Sequence, residues 1–317
     1  MRVLVTGGAG FIGSNLVDRL LAEGYEVDVI DDLSTGSLSN LSDARAHKGS
    51  FSFHQIDIRA PEAVDLIARR RPEIVFHLAA QSSVRASVER PFADADVNVA
   101  GTIRILEGAR AAGTSKVMYA ASGGTLYGEP EREELPIPES LGFGPLSPYG
   151  ASKRAPLDYL AVYRHLYGIE YCALALANVY GARQDPYGEA GVVAIFSERL
   201  RKREPLVIFG DGEQTRDFVF VDDAVDAFVR AVGGGEGMVL NVGTGRETTV
   251  NEIAERMLRL SATEVEVVHE AARPGELRHN SLDPARAGEV LGWRAWTDLD
   301  EGLAAVIGWE ENGRSHA

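Results

Sequence analysis

The sequence predicts an α/β fold: a Rossmann-type doubly wound parallel sheet followed by a smaller C-terminal α/β substrate-binding domain. Three observations carry that expectation. Apolar strand-like runs alternate with helical patterns through the first half of the chain. The first run, Val3-Leu4-Val5, leads straight into glycines at Gly7, Gly10 and Gly13. The second strand ends on the acidic pair Asp31-Asp32.

The glycines divide the work of a phosphate-binding turn. Gly7 lets the chain turn tightly, Gly10 lets a phosphate approach the backbone, and Gly13 lets the following helix sit close to the strand. Amide N–H groups and the positive dipole at the helix start then favour a pyrophosphate. The helix over 15–23 stops at Gly24, and the strand over 25–30 delivers Asp31 about twenty residues past the glycines. A carboxylate there suits a ribose 2′-hydroxyl and repels a 2′-phosphate, and no Arg or Lys follows closely. The cofactor expected is therefore NAD rather than NADP.

The βαβ rhythm then continues. A loop rich in Ser, Gly and Asn covers 33–40, followed by a strand over 51–55 and a helix over 61–70. An apolar strand over 74–78, a helix over about 92–112 and a strand over 116–121 come next. Another helix follows Ser147-Pro148, and a strand covers 171–176. From about Asn178 the rhythm breaks into Pro- and Gly-rich sequence with shorter strands and helices. We expect residues 1–177 to form the dinucleotide-binding domain and 178–317 the smaller domain, with 216–232 packing back on the first. Open α/β sheets bind ligands at the carboxyl ends of their strands, where such a domain would lie.

Composition narrows the setting. The 317 residues are 45% hydrophobic and 25% charged, as in ordinary globular proteins. The net charge of −15 argues against general nucleic-acid affinity, which needs phosphate neutralisation by Lys and Arg. Cys172, the single cysteine, cannot form an internal disulfide, and no apolar stretch has the length of a membrane span. A cytoplasmic enzyme with no membrane or nucleic-acid partner is expected. The histidines show no metal-ligand spacing, so no metal is expected either.

The chemistry lies in Tyr149-Gly150-Ala151-Ser152-Lys153, which puts Tyr149 and Lys153 on one face of a helix. A phenol has a reference pKa near 10, too high for a base at neutral pH. A neighbouring ammonium and the positive nicotinamide would favour the phenolate, which could take a proton from a substrate hydroxyl.

At these residues the chain resembles the extended short-chain dehydrogenases/reductases, and within them the UDP-galactose (UDP-glucose) 4-epimerases. The resemblance spans nearly the whole length. It rests on the glycine turn, His77-Leu78-Ala79-Ala80-Gln81, Ser147-Pro148-Tyr149 through Lys153, and Arg216-Asp217-Phe218-Val219-Phe220-Val221-Asp222-Asp223. Narrower still is Asn178-Val179-Tyr180-Gly181-Ala182-Arg183-Gln184-Asp185-Pro186, continuing through Phe196. The resemblance implies that Gly7, Gly10, Phe11, Ile12 and Asp31 hold the NAD pyrophosphate and adenosine ribose. Asp57 and Ile58 would flank the adenine, and Leu78, Ala79, Ala80 and Asn98 would line the cofactor. Tyr149 would be the base, Lys153 would bind the nicotinamide ribose, and Ser122 would hydrogen-bond the sugar. Asn178 would contact the nucleotide-sugar pyrophosphate, and Val192, Val193 and Phe209 would enclose the uridine. Arg216 and Arg273 would pair with the diphosphate through guanidinium forks.

The implied reaction is a redox loop on a UDP-sugar: oxidation at C4, rotation of a 4-keto sugar, and return of the hydride to the opposite face. A homodimer is implied too, through helices near 92–112 and 152–167. Three departures from the family pattern bear on this. Counting from the strand makes Ser122 the catalytic hydroxyl, whereas counting back from Tyr127-Gly128 reaches Gly123; Thr125 is the reserve. Ala182 replaces a proline. Pro156 falls inside the Tyr149 helix and is expected to kink it or cost about 3 kcal/mol.

Substrate choice rests on two positions. Asn280 falls where a larger residue would exclude a C2 N-acetyl group, so UDP-N-acetylhexosamines could fit. Arg183 could face a C6 carboxylate, giving a UDP-glucuronate 4-epimerase, although a loop-stabilising role is favoured. A UDP-glucuronate decarboxylase is a further alternative. A 4,6-dehydratase is disfavoured because its acidic pair is replaced by Gly123-Gly124. A catalytically silent NAD-sensing regulator is disfavoured because both Tyr149 and Lys153 are present.

Overall fold

In a computed structural model, which describes residues 1–47, 49–187, 191–272 and 277–312, seven parallel strands form the central sheet. In chain order six of them are β1 (Arg2–Thr6), β2 (Glu26–Asp31), β3 (Phe51–Gln55), β4 (Ile74–His77), β5 (Lys116–Ser122) and β6 (Glu170–Leu176). The seventh, Met238–Val242, lies outside β6, and β5, β4, β1, β2 and β3 follow in that order. β1 pairs with β2 on one side and β4 on the other, in registers Val3 to Val27 and Val3 to Ile74. The strand order reverses there, which opens a crevice at the carboxyl ends of β1 and β4.

These strands read as near-continuous apolar runs because helices cover both faces of a parallel sheet. Val3, Leu4, Val5, Val75, Phe76, Val117, Met118, Cys172, Ala173 and Leu174 are fully buried. The segment Phe218–Phe220 leads into the helix Val221–Arg230. Val219, Val221, Ala224 and Phe228 join the core of the sheet, as does Trp293 from near the end of the chain. A second core forms around Tyr180, Phe196, Leu206, Ile208, Phe218, Ile253 and Met257. Two short ladders flank it: Asn178–Tyr180 runs parallel to Phe218–Phe220, and Leu206–Phe209 to Val267–Glu270.

The helix expected over 92–112 starts earlier and is interrupted. It runs as Val84–Glu89 and Pro91–Ala95, passes through a π-helical turn at Asp96–Gly101, and ends as Thr102–Ala112. Pro91 suits a first helical position and restarts the helix. Such π turns insert a residue and re-aim side chains, often at functional sites. The helix Pro148–Tyr167, in contrast, continues through Pro156 without a break. Its start is capped by Ser147, whose hydroxyl accepts from the Gly150 N–H at 3.1 Å. No described helix is long and apolar enough to cross a membrane.

Candidate active site

The glycine turn takes the form its spacing requires. Gly7 is left-handed, and a Cβ on it would approach the Ala79 nitrogen at the end of β4. A Cβ on Gly13 would run into the Gly7 carbonyl, so the helix Phe11–Ala22 lies against the turn only with glycine there. Gly10 opens that helix with no side-chain cap, and the first internal bond runs from the Ser14 N–H to the Gly10 carbonyl. The N–H groups of the first turn are therefore left for a ligand, as an anion site needs. Asp31 accepts from the Ala9 and Leu33 N–H groups, each at 2.9 Å. Burial raises its carboxyl above the usual range, and those two bonds pull it back down.

The other residues expected around a dinucleotide gather along the same crevice. Leu78 and Ala79 hang from Thr6, the Leu78 N–H on its carbonyl at 3.1 Å and the Ala79 N–H on its hydroxyl at 3.2 Å. Ala80 follows, half-buried. Ile58 is buried against Gly101, which has no room for a Cβ beside it. Asp57 is held by Arg59, which also reaches Asp96, and this pairing lowers the Asp57 carboxyl. Asn98, on the π turn, donates to Ser152 Oγ and to the Gln81 carbonyl, each at 2.9 Å, and accepts from the Gln81 N–H at 2.8 Å.

Tyr149 and Lys153 stand one turn apart at the start of their helix, Lys153 buried and Tyr149 half-buried. The Ser122 hydroxyl lies beside the Tyr149 phenol, while Thr125 turns its own hydroxyl to the Ser122 carbonyl at 3.4 Å. Gly123 has no space for a hydroxymethyl group, because Leu282 Cδ1 occupies it. Burial pushes the Tyr149 phenol up to about 12, with the neighbouring Ser122 hydroxyl acting to lower it. Burial pushes Lys153 down to about 7, and Asp94 opposes that. The Lys153 ammonium lies 4.6 Å from the centroid of the Tyr119 ring. His77 beneath is clamped between Thr6 and Thr102 and stays neutral, since burial holds it down to about 3.

Beyond Asn178 opens a cleft of about 480 Å³, lined by Val192, Phe209 and Arg216 among others. Tyr149 and Ser122 are not among its lining, so it lies to one side of the hydroxyl pair. Val193 does not line it either, being buried in the second core. Arg273 lies outside the described residues. Asn280 is 1% exposed, and neither polar atom of its amide has a partner among the described residues. Arg183 is committed: its guanidinium pairs with Asp18 at 2.7 Å and Asp43 at 3.5 Å. That pairing removes the basis for expecting it to read a sugar carboxylate.

The sequence reading missed several participants. Ser87 accepts the Tyr149 N–H at 3.1 Å, and Asp94 holds Gln81 Nε2 at 2.6 Å. Pro186 and Tyr187 line the cleft. Asp94 carried at most the signal of an acid set between two alanines.

Comparison with known proteins agrees with this geometry. A family profile described as GDP-mannose 4,6 dehydratase matches residues 4–306. A UDP-glucose 4-epimerase of Mycolicibacterium smegmatis is 50% identical over 98% of this chain and 99% of its own length. The crystal structure of a Thermotoga maritima UDP-glucose 4-epimerase with UDP-glucose superposes with a TM-score of 0.95 at 43% identity, covering 99% and 100% of the two chains. The chain belongs to the UDP-glucose 4-epimerase family. A further member, from Thermus thermophilus and solved as a complex with NAD, superposes with a TM-score of 0.91 at 40% identity over 98% and 99% of the chains. Family membership fits the Rossmann-type sheet and the Tyr149–Lys153 helix. The dehydratase description of the profile does not extend to the local chemistry, since Gly123-Gly124 offers no acid beside Ser122.

Proposed function

We propose that this protein is a UDP-glucose 4-epimerase that interconverts UDP-galactose and UDP-glucose through a 4-keto sugar and keeps NAD bound. The observation that carries this reading is the Ser122 hydroxyl beside the Tyr149 phenol, one helical turn from Lys153, in a chain that also presents the glycine turn and the cleft beside Asn178. The uncapped helix start and Asp31 suit the pyrophosphate and ribose of NAD, whose chemistry when bound is reversible hydride acceptance at C4. Tyr149 takes the C4 hydroxyl proton and returns it, so one residue serves both halves of the reaction. Ser122 steadies the phenolate by donating to it, and the Lys153 ammonium favours the same charge. Asn178, Val192, Phe209 and Arg216 are assigned to the UDP portion, and we extend that assignment to Val193, as backing for the wall, and to Arg273.

The committed state of Arg183 favours a neutral hexose over a uronic acid. Asn280, with its unmet amide, supports UDP-N-acetylhexosamines as additional substrates. We also propose that the division at about residue 178 separates cofactor and substrate duties. The same reading includes a homodimer, because Val84, Val88, Phe92, Tyr159, Val162 and Leu166 leave an apolar face exposed on two packed helical segments, with Phe92 85% exposed. The one cysteine is buried, in keeping with a reducing cytoplasm.

Proton NMR of the protein with UDP-galactose tests the reading. The anomeric signal of UDP-glucose should grow to a fixed ratio without added NAD, and Tyr149→Phe should slow it by about 10²–10⁴-fold. Turnover of UDP-glucuronate in preference to UDP-galactose would overturn the neutral-hexose assignment.

A further inference from the structure

Behind the Tyr149–Lys153 helix lies a charge that the reaction as described does not use. Asp94 sits in the short helix Pro91–Ala95 and is 2% exposed. Its Oδ1 accepts from Gln81 Nε2 at 2.6 Å and from Asn98 Nδ2 at 3.2 Å. Asn98 passes the connection on, donating to Ser152 Oγ at 2.9 Å, and Ser152 immediately precedes Lys153. Oδ2 is buried with no partner among the described residues. A buried acid with one oxygen unmet costs stability that purely structural anchoring would not demand, since an amide could accept the same two bonds.

We propose that Asp94 is a positioning residue, whose buried carboxylate fixes Asn98 and Gln81 beside the cofactor crevice and sets the electrostatic field around Lys153 and Tyr149. This inference rests on the reading of Tyr149 as the base. Among the described residues, the groups around Lys153 leave Asp94 as its one anionic neighbour. From β4 comes His77, neutral; from β5, Tyr119 beneath the ammonium; on its own helix, Tyr149; from the Pro91–Ala95 helix, Asp94. Tyr149 faces Ser122, Tyr119 and Asp94. Asp96, two residues on, is tied to Arg59.

The sign follows from the charge. A fixed negative charge makes both protons harder to remove, so it raises the pKa of Lys153 and of Tyr149 together. Neutralising it moves both toward lower pH, whereas weaker packing would lower activity at every pH without moving the limits.

The experiment compares pH profiles of kcat/KM for UDP-galactose epimerisation in the wild type, Asp94→Asn and Asp94→Glu. For Asp94→Asn both limbs should move to lower pH by about half a unit or more. Asp94→Glu should leave the limbs at their wild-type positions even where its rate is lower. Limbs unmoved in Asp94→Asn would overturn the proposal, as would equal movement in Asp94→Glu. A second readout does not depend on turnover: ultraviolet difference titration of tyrosinate, with Tyr149→Phe subtracted, follows Tyr149 directly. Earlier ionisation of Tyr149 in Asp94→Asn supports the proposal, and unchanged ionisation overturns it. A wild type that titrates Tyr149 but does not epimerise would instead overturn the functional reading alone.

Discussion

Ser122, the last residue of β5, brings its hydroxyl beside the phenol of Tyr149 in the first turn of the Pro148–Tyr167 helix. Thr125 is turned away, its hydroxyl spent on the Ser122 carbonyl. Ser122→Ala should therefore lower kcat by about 10–100-fold, the loss of one hydrogen bond to a developing charge. Thr125→Ala should stay within about threefold. Steady-state kinetics on the pair decides, and the reverse order would move the role to Thr125.

Arg183 fastens the loop after Asn178–Tyr180 to the helix Phe11–Ala22 through Asp18. Asp18 is already raised above the carboxylate range by burial, with Arg183 opposing the rise. Arg183→Ala should lower stability by about 1–3 kcal/mol, measured by denaturant unfolding, because it leaves that acid unpaired. The ratio of UDP-glucuronate to UDP-galactose turnover should not change. Selective loss of the uronate activity would show that the guanidinium reads a carboxylate after all.

Cys172 lies in the middle of β6, and burial pushes its thiol up to about 12. Only the thiolate reacts with alkylating reagents. Iodoacetamide at pH 8 should leave the folded protein unlabelled and modify Cys172 fully in denaturant, as read by intact mass. Rapid labelling of the native protein would contradict the packing.

Phe92→Glu together with Leu166→Glu should convert a dimer to a monomer in sedimentation. Both residues lie on the exposed apolar face, where a charge cannot be buried without a partner. An unchanged sedimentation coefficient would place any self-association elsewhere.

Much of this was legible in the chain. The strand Phe51–Gln55 and the helix Pro61–Arg70 coincide with their sequence patterns, because local periodicity and flanking breakers set both ends. The Gly7, Gly10 and Gly13 turn and the Tyr149–Lys153 spacing were likewise local features. The choice between Ser122 and Gly123 was not, since the space beside Gly123 is filled by Leu282 from far along the chain. Nor was the commitment of Arg183, whose partners Asp18 and Asp43 come from much earlier in the sequence. The break between Pro91–Ala95 and Thr102–Ala112 escaped too, because a π turn leaves helical periodicity almost intact while shifting its phase.

The edge strand Met238–Val242 bears on how the molecule is made. Its partner β6 leaves the ribosome dozens of residues earlier, so during synthesis β6 is an open edge of unpaired amides and carbonyls. The nascent chain can complete the crevice at β1 and β4 while that edge is still uncovered. A chain truncated or stalled before residue 238 would keep the cofactor turn and yet be prone to edge-to-edge aggregation.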